Sequence, residues 1–264
     1  MPEWPKGAVS KTVRNKILGG SNPSVSAKKN IMTDISTKRI YYDNTYLNKL
    51  ETKIVEIGQD ENGSYVIFDK TIFHPQGGGQ PDDEGYFEIN GKQFPTTELI
   101  APRNPYQEPY LIKHYYEGEK NFEKGEEVIQ VIDIKKRLLF ARYHSGGHLL
   151  SLAVNQLYPE LDGYKGNHFP GQAFVVFEGN LPSDFSSLKE KVSNLVNELV
   201  KNNHSIQVEW KDNYRTIHFV GLAKSYPCGG THVKNTLEIG EIVIRNVKKD
   251  KDSLRIGYNV VDKQ

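Results

Sequence analysis

The sequence predicts an α+β protein with a small N-terminal β-barrel domain followed by an α+β domain. Three observations lead there. From about residue 38 to 134, short runs rich in Ile, Val, Tyr and Phe alternate with turn residues, the signature of small closed or sandwiched β-structure. Near residue 135 the apolar period changes from that of a strand to that of a helix. Beyond it, two helical stretches are interleaved with further strand-like runs. The expected division is a tail over 1–37, a barrel domain over 38–134 and a metal-binding domain over 135–264.

Each element has its own warrant. Segment 1–37 carries Lys6, Lys11, Arg14, Lys16, Lys28 and Lys29 against Glu3 and Asp34, and is rich in Gly, Ser, Pro and Asn. It reads as a disordered tail, with a targeting or engineered leader as the alternatives. Strands are expected at 39–42, 50–57, 64–68, 85–89, 110–116 and 127–134. The pair Asn90-Gly91 marks a hairpin, because a two-residue turn needs left-handed backbone that Asn and Gly tolerate. A helix is expected over 135–157, where Leu138, Leu139, Leu149, Leu150, Ala153, Val154 and Leu157 recur at helical spacing. A second, over 183–202, puts Leu188, Val192, Leu195, Val196 and Leu199 on one face, with Ser183 or Asp184 as its cap. Strands at 173–178, 206–210, 241–247 and 253–260 complete the set.

The bulk numbers bound function. A length of 264 residues allows one or two domains. No apolar run approaches about 18 residues, so no membrane helix is expected. The net charge of +1 makes any nucleic-acid contact a matter of local patches. Such patches are Lys135, Lys136, Arg137 and Arg142, and again Lys248, Lys249 and Lys251. Cys228 is the only cysteine, so an intramolecular disulfide is excluded and a reducing, cytoplasmic setting is expected.

The chemistry sits in two short motifs. His144-Ser-Gly-Gly-His148 places two imidazoles one helical turn apart on one face. Cys228-Gly-Gly-Thr-His232 repeats the spacing in a glycine-rich loop. Three imidazoles and one thiolate form a set that tetrahedral zinc accepts. A thermolysin-like site would need Glu where Ser145 stands. A cysteine hydrolase would leave His144 and His148 without a purpose.

These residues resemble the editing domain of alanyl-tRNA synthetases and its free-standing relatives, the AlaX family. The resemblance rests on Arg142-Tyr-His-Ser-Gly-Gly-His-Leu-Leu150, on Pro227-Cys-Gly-Gly-Thr-His-Val233, and on Phe73-His-Pro-Gln-Gly-Gly-Gly-Gln-Pro81 followed by Asp83-Glu-Gly85. Gly163-Tyr-Lys-Gly-Asn-His-Phe-Pro170 also looks like the family. It covers about 38–264. It implies a zinc-dependent aminoacyl-tRNA deacylase whose partner is mischarged tRNA(Ala), with Ser-tRNA(Ala) as first substrate and Gly-tRNA(Ala) as second. His144, His148, Cys228 and His232 would hold Zn2+. Ser145 and Gln80 would assist catalysis, Ser145 through the seryl hydroxyl. Gly77, Gly78, Gly79, Gln80, Arg142, Gly147, His168 and Thr231 would line the substrate. The family pattern usually has Thr in place of Ser145 and larger residues in place of Gly146 and Gly147. Two glycines inside a helix cost about 1 kcal/mol each, which implies a close approach of backbone or substrate, or a locally irregular helix. Neither motif contains a carboxylate base, so the base is left open between a metal-activated water, a substrate ribose hydroxyl and a residue outside the motifs. Two other readings stay open: a non-catalytic, zinc-stabilised tRNA-binding module, and an editing hydrolase of threonyl-type specificity.

Overall fold

The computed structural model describes residues 36–104, 108–118, 122–182, 185, 187–211 and 214–261. The leader reading for residues 1–35 and the caps Ser183 and Asp184 lie outside them. Ser36 and Thr37, expected in the tail, are tied down, with the Thr37 amide donating to Tyr110 O at 2.8 Å.

In chain order the strands are β1 (Lys38–Arg39), β2 (Lys49–Asp60), β3 (Gly63–Phe68), β4 (Lys70–Thr71), β5 (Gly85–Ile89), β6 (Lys92–Ile100), β7 (Lys113–Tyr116) and β8 (Glu127–Ile132). Helix α1 (Ile134–Leu157) follows, then β9 (Leu161–Asn167), β10 (Phe174–Gly179) and α2 (Leu188–Lys201). β11 (Ile206–Lys211), β12 (Tyr214–Phe219), β13 (Ser225–Pro227), β14 (Glu241–Asp250) and β15 (Ser253–Val261) complete the chain, which is mostly β with two α-helices among the described residues.

The N-terminal strands close into a six-stranded antiparallel barrel in the order β2-β3-β7-β6-β5-β8, so no strand of it is left with an unpaired edge. The Asn90-Gly91 turn has φ of 51° and 77°, and Ile89 pairs directly with Lys92. Inside, Phe87 stacks on Phe94 at 5.4 Å, packed with Ile54, Val66, Phe68 and Val128. A polar stitch crosses this core: the Thr71 hydroxyl lies 3.0 Å from both His114 Nε2 and Gln130 Oε1.

Two expected strands are shorter than the pattern suggested. After β1 the chain turns into a 3-10 helix, Ile40–Tyr42, because consecutive Tyr41 and Tyr42 are both buried, which one face of a strand cannot do. The run 110–116 is a strand only from Lys113. Strand β6, interrupted by Pro95 and rich in polar residues, and β9, with two glycines, had no strand signature in the sequence.

Helix α1 starts on Asp133, whose carboxylate accepts from the amides of Lys135 (3.0 Å) and Lys136 (3.1 Å). Its middle is buried on every side, from Tyr143 to Gly147 and from Leu149 to Val154. It packs on α2 and on the antiparallel sheet β14-β15-β10-β9. α2 contributes the expected stripe, with Leu188, Val192, Val196 and Leu199 buried. The sheet β11-β12-β13 leads into the second motif. Barrel and metal-binding segment belong to one compact unit.

Arg137 welds the two halves and corrects a reading of the sequence. It was expected in a solvent-facing basic cluster, yet it is fully buried in an ion pair with Asp83. Its Nε donates to Asp83 Oδ1 at 2.7 Å, and its Nη atoms donate to Asp83 and to the carbonyls of Thr45 and Ile72. Asp83 in turn accepts from the His74 amide at 2.5 Å. Lys136 is paired with Glu84.

Replacing Arg137 by Met strands Asp83 as a buried unpaired acid. Urea unfolding of Arg137→Met is expected to show a loss of about 3–5 kcal/mol. Burial lowers His114 to about 4. Its unfolded pKa is near 6.5, so the unfolded chain binds the proton more readily between those values, and the stability held above pH 6.5 falls as pH drops towards 4. His114→Gln is expected to flatten that slope by about 3 kcal/mol in the metal-free protein.

Candidate metal centre

Three chain segments build the site. The first is α1, which presents His144 and His148 with rings 5.0 Å apart and nearly parallel, at 18°. The second is the loop after β13, carrying Cys228 and His232. The third is the glycine hairpin, closed by Gly77 N to Gln80 O at 3.2 Å and Gln80 N to Gly77 O at 2.9 Å. Gly78 and Gly79, at φ of 58° and 78°, occupy left-handed backbone that favours glycine.

Arg215 shapes the second segment. This buried side chain donates from Nη1 to Cys228 O (2.7 Å) and Gly230 O (3.0 Å), and from Nη2 to Tyr42 O (3.2 Å). Its own carbonyl accepts from the Cys228 amide at 2.9 Å. A Cβ on Gly230 would lie 2.1 Å from His144 Cε1, so only glycine lets the loop reach the helix.

Ligand atoms of His144, His148, Cys228 and His232 all lie within 4.8 Å of one another. Gln80 Oε1, which can only accept, lies 2.7 Å from His144 Nδ1 and 3.0 Å from Thr231 N. Nδ1 of His144 therefore carries the hydrogen, and Nε2, 3.4 Å from Cys228 Sγ, keeps its lone pair. The Ser145 hydroxyl, which accepts from Val233 N at 3.2 Å, stands 3.2 Å from His232 Nδ1. His232 Nε2 is 3.2 Å from the sulfur. His148 Nε2 is buried without a partner. An orphaned imidazole nitrogen, a neighbour held in the matching tautomer, a third imidazole steadied at Nδ1 and a thiol are what zinc requires of its ligands and of their supports.

Burial holds the ligand imidazoles neutral. It lowers His144 and His232 well below the usual histidine range and His148 to about 4. Burial also raises the Cys228 thiol, with the Gly230 amide and Arg215 opposing it.

The remaining expected residues fall into two groups. Gly77 and Gly78 are exposed, and a Cβ on Gly78 would lie 3.8 Å from His144 Cε1, so the hairpin tip lies over the cluster. His148 is the most exposed of the four ligand residues. His168 is buried with its ring stacked 4.6 Å from that of His144. The other group faces the protein. Ser145 and Thr231 are fully buried, and the Thr231 hydroxyl accepts from Gln80 Nε2 at 2.8 Å. Arg142 Nε donates to Ile239 O at 2.9 Å. Gly147 was expected to admit substrate, but its free side is filled by His168, whose Cε1 would lie 2.3 Å from an added Cβ. Gly146 likewise faces Val260 and Ile239. The close approach that these helical glycines signalled is made by the protein's own side chains. Arg215 and Tyr258, which the sequence reading missed, support the site. The signal for Arg215 was a cation sharing an inward strand face with Ile217 and Phe219.

Residues 215–256, which include Arg215, Cys228 and His232, match the family described as threonyl and alanyl tRNA synthetase second additional domain. The matched segment thus holds two of the four cluster residues, in a domain class named for aminoacyl-tRNA synthetases. The chain is 30% identical over 211 residues to alanyl-tRNA editing protein AlaX-M of Pyrococcus horikoshii, covering 78% of this chain and 89% of that one. It is 29% identical to AlaX-L of the same organism, over 86% of this chain and 59% of that protein. Alanine–tRNA ligase of Halobacterium salinarum matches at 28%, over 83% of this chain and 25% of the ligase. The chain belongs to the alanyl-tRNA editing protein family.

Neutral imidazoles release no proton on metal binding, whereas a protonated thiol releases one. Calorimetric titration of zinc into metal-free protein at pH 7, in buffers of different ionisation enthalpy, is expected to report release of about one proton. Gln80→Ala frees the His144 tautomer and is expected to weaken zinc binding about 10- to 100-fold in chelator competition.

Proposed function

We propose that the chain hydrolyses the ester of mischarged tRNA(Ala) in trans, with Ser-tRNA(Ala) as principal substrate, Gly-tRNA(Ala) as second, and zinc as cofactor. The convergence of His144, His148, Cys228 and His232 beneath an exposed glycine hairpin carries this reading. The names of the relatives, alanyl-tRNA editing proteins, support it.

Zinc, when bound, supplies a Lewis acid for an ester carbonyl and lowers the pKa of water. The chain's own groups do the rest. Gln80 and Ser145 hold His144 and His232 by their Nδ1 atoms, so both serve as positioning residues. Gly77 and Gly78, exposed and without side chains, let an aminoacyl ester approach the cluster from solvent, whereas Gly79 is closed off by Gly166 and His168. His148 forms the open edge of the ligand set. Lys135, exposed at the start of α1, suits a phosphate of the acceptor stem. Thr231 supports the loop through Gln80, and Arg142 anchors α1 to the 3-10 helix Thr236–Ile239. Among the described residues no helix is long and apolar enough to cross a membrane. A cytoplasmic setting suits a substrate that is charged tRNA and a ligand thiol that must stay reduced.

One observation favours a second reading. Four protein ligands complete a tetrahedron by themselves, which is the usual donor count of a structural zinc site. The non-catalytic, tRNA-binding module is therefore the rival.

Deacylation of Ser-, Gly- and Ala-tRNA(Ala), with Ser-tRNA(Thr) alongside, separates the readings. The zinc-loaded chain is expected to release serine from tRNA(Ala) at least about tenfold faster than alanine. Cys228→Ala should fall to the rate of buffer alone. Stoichiometric zinc with every ester intact would establish the binding module, and preference for Ser-tRNA(Thr) the threonyl-type enzyme.

A further inference from the structure

His168 is a buried imidazole beside the cluster that is not one of its four ligand residues. Its tautomer follows from its neighbours. The Tyr258 hydroxyl has one hydrogen, and donates it to Tyr143 O at 2.7 Å. It must therefore accept at its other contact, His168 Nδ1 at 2.8 Å. The proton of His168 sits on Nδ1 and the lone pair on Nε2. Among the described residues, no hydrogen-bond partner reaches Nε2.

The ring is held by an enclosure that only glycines allow. It stacks on His144 at 4.6 Å and 19°. A Cβ on Gly147 would lie 2.3 Å from His168 Cε1, one on Gly166 2.6 Å from Nε2, and one on Gly79 3.2 Å from Cδ2. The His168 amide donates to Gly79 O at 2.8 Å. Three glycines from the hairpin, α1 and β9 thus leave room for one ring, and Gly166 keeps the space beside Nε2 clear.

An acceptor fixed this firmly next to the ligand cluster, with no protein donor spent on it, suits a donor brought by the substrate. The aminoacyl ester offers two: its α-amino group, common to all amino acids, and the side-chain hydroxyl of serine. We infer that His168 is a substrate-binding residue whose Nε2 accepts a hydrogen bond from a donor of the aminoacyl group. The inference rests on the editing function proposed above.

The test uses zinc-loaded protein and two adenosine analogues, bearing serine or glycine through a 3′-amide that cannot be hydrolysed as an ester. Binding is measured by calorimetry for the parent, His168→Leu and His168→Gln, with zinc affinity measured for each. His168→Leu is expected to keep parental zinc affinity and to lose about 10- to 100-fold in analogue affinity. His168→Gln, which retains an acceptor, should recover part of that loss. A loss confined to the seryl analogue assigns the hydroxyl as the donor, and an equal loss for both assigns the α-amino group. Parental binding of both analogues by His168→Leu overturns the proposal. So does loss of zinc by that variant, which would make His168 a prop for His144. A parent that cleaves no ester sinks the editing reading, while the binding comparison still decides the role of His168. A parent that binds neither analogue overturns this proposal as well.

Discussion

The side-chain amide of Gln80 is the junction on which the site depends. One oxygen accepts from His144 on α1 and from the Thr231 amide in the C-terminal loop, while the nitrogen donates to the Thr231 hydroxyl. These partners stand 64 and 151 positions away in the chain. The junction needs the hairpin to present Gln80 from a turn whose Gly78 and Gly79 are left-handed. It also needs a loop in which Gly230 clears His144. With it in place, His144 Nε2 is aimed at the Cys228 sulfur, which is the preorganisation that separates a site from a set of histidines.

Two buried arginines hold the surrounding scaffold by different physics. Arg137 is neutralised by Asp83 and joins the barrel side of the hairpin to the first turn of α1. Arg215 has no carboxylate partner among the described residues and spends its donors on carbonyls of Tyr42, Cys228 and Gly230. A cation solvated by carbonyls is costly to bury, and its Nε stays unsatisfied. The Cys228 sulfur is the nearby group that gains, since Arg215 opposes the rise in its pKa. One arginine thus joins barrel to helix, and the other shapes the loop that carries Cys228 and His232.

What could be read from the sequence was whatever local spacing encodes. Whereas the support that buried Gln80 gives to His144 and Thr231 was not legible, the four-residue cluster was, because each pair is separated by one helical turn or one glycine turn. The Asn90-Gly91 hairpin and the apolar stripe of α2 were legible for the same reason. Strands β6 and β9 were not, since pairing within the barrel and the sheet overrides the weak propensities of Pro95, Gly163 and Gly166. Arg137 looked like a surface charge because its partner, Asp83, lies in a different element. Gly146 and Gly147 signalled an approach of backbone or substrate, yet the side chains of Val260 and His168, set by tertiary packing, take that space. Tyr258, which orders His168, gave no local sign.

The spread of the site along the chain has a consequence in time. His144 and Cys228 are separated by 84 positions. At roughly 5–20 residues per second of synthesis, the nascent chain spends about 4–17 s with its helical histidine pair made and its cysteine not yet added. During that interval the four-residue cluster is represented by His144 and His148 alone. The cluster is therefore complete only once the loop after β13 has been made, with β14 and β15 still to follow.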